Sequence, residues 1–285
     1  RSSTAVDLYT YRLAIATTAE YSSANGGTVA SVMSAVVSVV NQVNSVFEKD
    51  NAIRLVLIDN TDQTFFFPPN SGDPYTNGNT SEMISENPPV LNGAYGLDGY
   101  DIGHVFGTNG GGLAQLGSVC NGSSTPPAPF PKGRGVSCMF GPYVGSLFYI
   151  VVGHEMGHQF SATHTFNKCD DENETPSTAY EPGSGSSIMC YNGNGVCGSN
   201  HLQDVTDDYF HINSMERIRN FSRNGGGASC AQVITIGNNS IVGKVNTCVT
   251  ECDLSCGVDS TSVVSVVEDQ SSGISTRECT SSKVD

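Results

Sequence analysis

Half of the six histidines of this chain lie in one stretch of eleven residues, HEMGHQFSATH, which runs from His154 to His164. On a helix, His154 and His158 would project from the same face, so both imidazoles could reach one metal ion. Glu155 is rotated by about 100° from His154, and its carboxylate could instead reach a water bound to that metal and act as a general base. His164 follows His158 by six residues, so the chain must turn sharply to bring the third imidazole back. Three histidines with one open position predict a catalytic zinc site rather than a closed structural one.

An ordinary helix with a solvated glutamate and two hydrogen-bonded histidines could carry the first part of this motif. That alternative gives no reason for a third histidine at the spacing HExxHxxxxxH. We therefore prefer the metal-site interpretation.

The motif also resembles the extended zinc signature of the metzincin metallopeptidases. The run beyond it, through SSIMCY, is similar to the secreted reprolysin-like (adamalysin-like) branch, and the resemblance covers about 200 residues. The family usually has glycine where this chain has Ser161, because the backbone there takes a positive φ, which costs another residue about 1 kcal/mol. The resemblance implies an α/β (α+β) catalytic domain with a twisted, mostly parallel sheet, an antiparallel edge strand and two long helices.

The resemblance also implies roles for three further places in the chain. Met189, in the segment EPGSGSSIMCY, matches a methionine that forms an apolar floor beneath the zinc. Tyr191 matches a tyrosine beside the metal, which could hydrogen-bond the oxyanion or form a wall of the specificity pocket, and both roles remain open. Gly112, Leu113 and Ala114 match the edge strand on which an extended peptide substrate lies, main chain against main chain.

The remaining elements follow from apolar periodicity. We predict strands at residues 8–17, 53–58 and 100–106, a core helix from Val29 to Phe47 capped by Thr28, the zinc helix at residues 145–160, and a helical pattern within residues 202–221. His104, on the third strand, is assigned to packing or hydrogen bonding. His201 and His211 are predicted to be structural or surface residues.

Charge and apolar content exclude two classes of protein. A net charge of −15 with only 13 basic residues argues against nucleic-acid binding. The sequence contains no run of about 20 apolar residues, so we predict no membrane span. The chain begins at Arg1 without a basic and apolar leader, so we expect that a signal peptide is already gone, and the resemblance suggests a zymogen whose propeptide is also gone. We expect a monomer that acts on proteins or peptides.

Ten cysteines without zinc-finger spacing predict disulfides and an oxidising, extracytoplasmic compartment. Cys120 and Cys138 flank a proline-rich loop, and we expect a disulfide between them. The acidic segment at residues 169–174 is predicted to form a solvated loop. A Ca²⁺ site is the alternative, but it is less favoured because the spacing of the acidic residues does not match an EF-hand. Gly225 to Gly227 interrupt the pattern, and from Ala231 onward the chain is rich in valine, serine and threonine. We therefore predict that residues 1–230 form the catalytic domain and residues 231–285 a small, β-rich, disulfide-stapled extension.

Together these features predict a secreted endopeptidase with Zn²⁺ held by His154, His158 and His164. The alternative is a catalytically weak protein-binding or adhesion module that keeps the metzincin fold. The presence of Glu155 favours the enzyme, because a binding module does not need a general base.

Overall fold

The computed structural model describes residues 6–68, 72–124, 130–140, 147–169, 173–192 and 197–236. In chain order, its strands and helices are β1 (Val6–Thr17), α1 (Ala19–Ala24), α2 (Val29–Asn51), β2 (Ile53–Leu57), α3 (Thr80–Tyr95), β3 (Ile102–Thr108), β4 (Gly112–Ala114), β5 (Gly135–Met139), α4 (Phe148–Gln159), β6 (Phe166–Asn167), β7 (Glu181–Pro182), α5 (Ile212–Asn224) and β8 (Gln232–Ile236).

The main sheet has the strand order β2-β1-β3-β5-β4, and β8 also pairs with β1. Neighbouring strands from β2 to β5 run parallel, whereas β4 runs antiparallel to β5 at the end of this order. These features confirm the mixed α/β fold with a mostly parallel sheet and an antiparallel edge strand. Strands β6 and β7 form a separate parallel pair.

Side chains that alternate along β1 enter two different cores, one on each face of the sheet. Tyr11, Leu13 and Ile15 face a large core that contains apolar residues of α2, α4 and α5. Ala14 and Ala16 face a smaller core formed with α3. The period of two along a strand therefore divides the described domain into three layers, with the sheet in the middle.

Helix α2 is the predicted core helix, and its start is confirmed. The hydroxyl of Thr28 accepts a hydrogen bond from the amide of Ser31, and the hydroxyl of Ser31 accepts one from the amide of Thr28. The two bonds form a capping box. By length and composition α2 could cross a membrane. In the structure, however, Val32, Val36 and Val43 lie in the large core, and this packing offsets the low helix propensity of valine.

The sequence pattern does not predict helix α3. Pro88 and Pro89 lie inside this helix, and proline normally breaks a helix. Met83 and Leu91 are fully buried against the sheet. Tertiary burial thus maintains a helix that local preference opposes.

The predicted disulfide between Cys120 and Cys138 is wrong. Cys120 bonds to Cys230, and Cys138 is a free, buried thiol. Cys138 packs in the smaller core, where its sulfur lies 3.7 Å from that of Met83, whereas Cys120 packs against the large core. The sheet therefore separates the two residues, although they flank one loop in the sequence.

A second disulfide joins Cys169 to Cys197, and Cys190 is a second free, buried thiol. Residues 170–172 of the acidic loop lie outside the described residues, as does the predicted extension beyond residue 236. The residues just after the predicted boundary at 230 form β8 in the main sheet.

Candidate active site

Helix α4 carries the first two histidines of the motif and then ends in a turn that redirects the chain. The amide of Ala162 bonds to the carbonyl of Gly157, and the amide of Ser161 bonds to that of His158. These two bonds form a Schellman motif, which requires a left-handed residue immediately after the helix. Ser161 takes that position with φ 76°, as its place in the motif predicts.

The turn brings the three imidazoles together. Nε2 of His164 lies 3.2 Å from Nε2 of His154 and 3.1 Å from Nε2 of His158. The three residues offer one ligand atom each, and all of these atoms lie within 4.8 Å of one another. Four-coordinate zinc with bonds of about 2.05 Å to nitrogen would separate its ligand atoms by roughly 3.3 Å, so the observed spacing fits this ion.

The outer nitrogen of each imidazole faces a backbone carbonyl. Nδ1 of His154 is 2.7 Å from the oxygen of Ile188, Nδ1 of His158 is 2.8 Å from that of Ala162, and Nδ1 of His164 is 2.6 Å from that of Asn173. Because a carbonyl oxygen can only accept, each Nδ1 carries the proton and each Nε2 presents its lone pair. Three converging lone pairs repel one another unless a cation lies between them, so the donor set suits a metal.

Burial keeps two of these rings neutral. The pKa of His158 is lowered to about 4 by burial and by the neighbouring His164. The pKa of His154 is lowered well below its usual value by burial and by both other histidines. Neutral imidazole is the form that binds metals.

Glu155 projects from α4 towards β4, with a relative exposure of only 6%. Burial raises the pKa of its carboxyl to about 8. A divalent cation at the three histidines would lower this pKa again, because it favours the charged carboxylate.

Aromatic rings surround the third histidine. Phe166 stacks on the ring of His164 with centroids 5.0 Å apart, and Tyr191 meets it edge-on at 4.8 Å. The Tyr191 ring is also 4.6 Å from Phe166 and 5.9 Å from His154. The sequence analysis did not predict a role for Phe166. Its aromatic side chain, two positions after His164, is the feature of the sequence that could have indicated a contact with this histidine.

Met189 lies directly beneath α4. An ideal Cβ placed on Gly157 would come within 2.6 Å of the Met189 sulfur, and the methionine side chain is fully buried. The turn that holds it also contributes the Ile188 carbonyl to His154.

A buried carboxylate that sequence analysis missed holds this turn in place. Oε1 of Glu181 accepts the amides of Ser186 and Ser187, at 3.0 and 3.1 Å. Its Oε2 accepts the hydroxyls of Thr165 and Ser187, both at 2.6 Å, and the thiol of Cys190 at 3.0 Å. Glu181 therefore links the methionine turn to the segment that follows His164.

The other three histidines lie outside this cluster. His104 is fully buried, 2.9 Å from both Gln159 and Ser137, as predicted. Nε2 of His201 lies 2.9 Å from Oδ1 of Asp204. His211 caps α5 and stacks on Tyr180.

Comparison with protein-family models identifies the family of this chain. The model of metallo-peptidase family M12B, Reprolysin-like, matches residues 8–220. The chain belongs to this family.

Two of the solved structures that are similar to the chain illustrate how far the similarity extends. One is the metalloproteinase-II from Bacteroides fragilis, at 13% identity and a TM-score of 0.41, with 75% of this chain and 53% of that chain covered. The other is a chain from the structure of a chaperone-substrate complex, at 16% identity and a TM-score of 0.41, with 75% and 34% covered. The present chain thus spans only a third to a half of their lengths. A search of curated protein sequences gives no match.

Proposed function

We propose that this chain is a secreted zinc endopeptidase in which His154, His158 and His164 hold Zn²⁺ and Glu155 is the general base. The observation that carries the proposal is the convergence of three Nε2 lone pairs, each fixed by an Nδ1 proton donated to a carbonyl. When bound, zinc supplies Lewis acidity, which polarises a carbonyl oxygen and lowers the pKa of water towards about 7.

The protein side chains then move the protons. Glu155 takes a proton from the attacking water and returns it to the leaving amine. The hydroxyl of Tyr191, whose ring lies against His164, donates to the carbonyl oxygen as negative charge develops there. Tyr191→Phe tests this role: loss of a donor lowers kcat, whereas a wall residue would chiefly change KM or sequence preference.

Strand β4 is the proposed binding site for the peptide backbone. It lies at one end of the main strand order, and within the described residues it pairs only with β5. An extended peptide can add to this edge by pairing with the main chain of Gly112, Leu113 and Ala114. The short, glycine-containing strand allows a second backbone to approach closely.

The disulfides of the described residues support a secreted protein, because such bonds persist in oxidising compartments. We also propose that the protein is made as a zymogen, that it is a monomer, and that residues 231–285 form a separate extension. A Ca²⁺ site at residues 169–174 remains the alternative to a solvated loop.

The test compares the purified chain with Glu155→Ala on a denatured protein such as casein, with the zinc content of both chains determined. We expect one zinc in each, cleavage by the native chain that a chelator abolishes, and a kcat about 100- to 10,000-fold lower for the variant. If both chains bind zinc and the native chain cleaves nothing, the enzyme proposal fails and the binding-module alternative replaces it.

A further inference from the structure

Gly112, the first residue of β4, lies directly against the side chain of Glu155. A Cβ built on Gly112 with ideal geometry would lie 2.0 Å from Oε1 and 2.4 Å from both Cδ and Cγ of Glu155. Carbon atoms in normal contact are about 3.5–4.0 Å apart. The space that any other residue would fill with its Cβ at position 112 is therefore occupied by Glu155.

Strand β4 cannot easily move away to make room. The carbonyl of Gly111 accepts the Cys138 amide at 2.8 Å, and the amide of Gln115 donates to the Arg134 carbonyl at 2.9 Å. Further along, the amide of Gly117 donates to the carbonyl of His158 at 2.9 Å. The strand is thus bonded to β5 on both sides of Gly112, and the chain after it is bonded to the end of α4.

Packing, rather than hydrogen bonding, places the Glu155 carboxylate. Within the described part of the chain, no hydrogen bond to its oxygens is found, and the side chain is almost fully buried. The three atoms nearest to the ideal Cβ position of Gly112 all belong to Glu155. The backbone of β4 therefore limits where the carboxylate can lie.

We propose that Gly112 is a positioning residue for Glu155: its missing side chain leaves the space that the Glu155 carboxylate occupies. This inference rests on the proposed function, in which Glu155 transfers the proton. A methyl group at position 112 would push the carboxylate aside, and a misplacement of about 1 Å can cost roughly 100-fold in rate. Side chains of a strand stand perpendicular to the sheet, so the main-chain edge that would bind a peptide stays open.

The first test compares Gly112→Ala with Gly111→Ala in the zinc-loaded full chain. Neither glycine has a positive φ, and a Cβ on Gly111 would meet no atom within 4 Å. We expect Gly112→Ala to lower kcat by about 100-fold at unchanged KM and zinc content, and Gly111→Ala to stay within about twofold of the native chain. A native kcat for Gly112→Ala, or a change in KM alone, would overturn the proposal.

The second test measures thermal unfolding and needs no activity. We expect Gly112→Ala to lower Tm by roughly 5 °C in the native background and by less than about 1 °C in a Glu155→Ala background, where the space is open. In a Glu155→Gln background, which keeps the shape of the side chain, the full loss should return. An equal loss in all three backgrounds would overturn the proposal.

If the native chain cleaves no substrate, the proposed function fails separately, and the unfolding data still decide whether Gly112 places Glu155.

Discussion

Backbone carbonyl groups orient the three imidazole rings of the histidine cluster. The oxygens of Ile188, Ala162 and Asn173 each take an Nδ1 proton, and without them the rings could rotate or adopt the other tautomer. Two of these carbonyls come from segments more than eight residues away from the ring they contact. The proposed metal site therefore depends on backbone placement as much as on histidine spacing.

Glu181 is a buried carboxylate whose pKa is strongly lowered in the folded protein. Burial by itself would raise its pKa, but hydrogen bonds from Cys190, Ser187, Thr165 and the Ser186 amide lower it to about 2. These donors satisfy both oxygens of a side chain with a relative exposure of 7%. The charged form is thus the one that the fold stabilises.

This environment predicts a pH-dependent cost for Glu181→Gln. A pKa that drops from 4.5 to about 2 on folding contributes about 3 kcal/mol, fully present above pH 4.5 and lost as the pH falls towards 2. We expect Glu181→Gln to lower the free energy of unfolding by about this amount at pH 7 and by much less near pH 2.5. Urea unfolding at several pH values measures the difference. The exposed Glu216→Gln is the control, and equal losses for both variants at pH 7 would contradict the assignment.

The end of helix α4 shows how an element can tolerate a residue that its geometry disfavours. Ser161 occupies the left-handed position of the Schellman motif, where a Cβ is unfavourable. Bonds on both sides of Ser161 hold the turn, and the Arg217 guanidinium adds a hydrogen bond to the Ser161 carbonyl at 3.0 Å. Tertiary contacts therefore offset the local strain.

Replacement of Ser161 should reveal that strain. We expect Ser161→Gly to raise the free energy of unfolding by roughly 0.5–1 kcal/mol, and Ser161→Val to lower it by more than about 1 kcal/mol, since β-branched residues rarely take positive φ. The matched control is Ser34→Gly, at an exposed position inside α2, where the same substitution should cost about 0.5 kcal/mol. Urea unfolding of the three variants would refute the assignment if Ser161→Gly were as costly as Ser34→Gly.

At the scale of the whole molecule, the sheet decides which cysteines can meet. Cys120 and Cys230 are 110 residues apart in sequence, yet their Cα atoms are 5.5 Å apart. Cys138 is closer to Cys120 along the chain but packs in the core under α3. The disulfide therefore ties the loop after β4 to the segment after α5.

The pairing predicts both a chemical pattern and a stability cost. When the unreduced chain is unfolded and alkylated, we expect label on Cys138 and Cys190 and none on Cys120 or Cys230. The double variant Cys120→Ala/Cys230→Ala should lose about 3–5 kcal/mol in urea unfolding, because the bond closes a long loop. Mass spectrometry of proteolytic fragments reads the labels, and a fragment that joins Cys120 to Cys138 would exclude this pairing.

The sequence by itself was sufficient for the features that depend on local periodicity and spacing. The pattern of His154, Glu155, His158 and His164 predicts a shared metal, and the valines of α2 predict a core helix. The alternation of β1 predicts a strand. Such features follow from helix and strand geometry, which acts over a few residues.

The tertiary structure alone decided the features that join distant segments. Helix α3 forms in spite of Pro88 and Pro89 because the sheet buries its apolar face. The Ile188 and Asn173 carbonyls that contact His154 and His164, the hydrogen bond from Thr165 to Glu181 and the contact between Gly112 and Glu155 all join segments that are far apart in the sequence. No local pattern encodes these contacts, since packing of the whole domain determines which backbone atom or side chain meets each group.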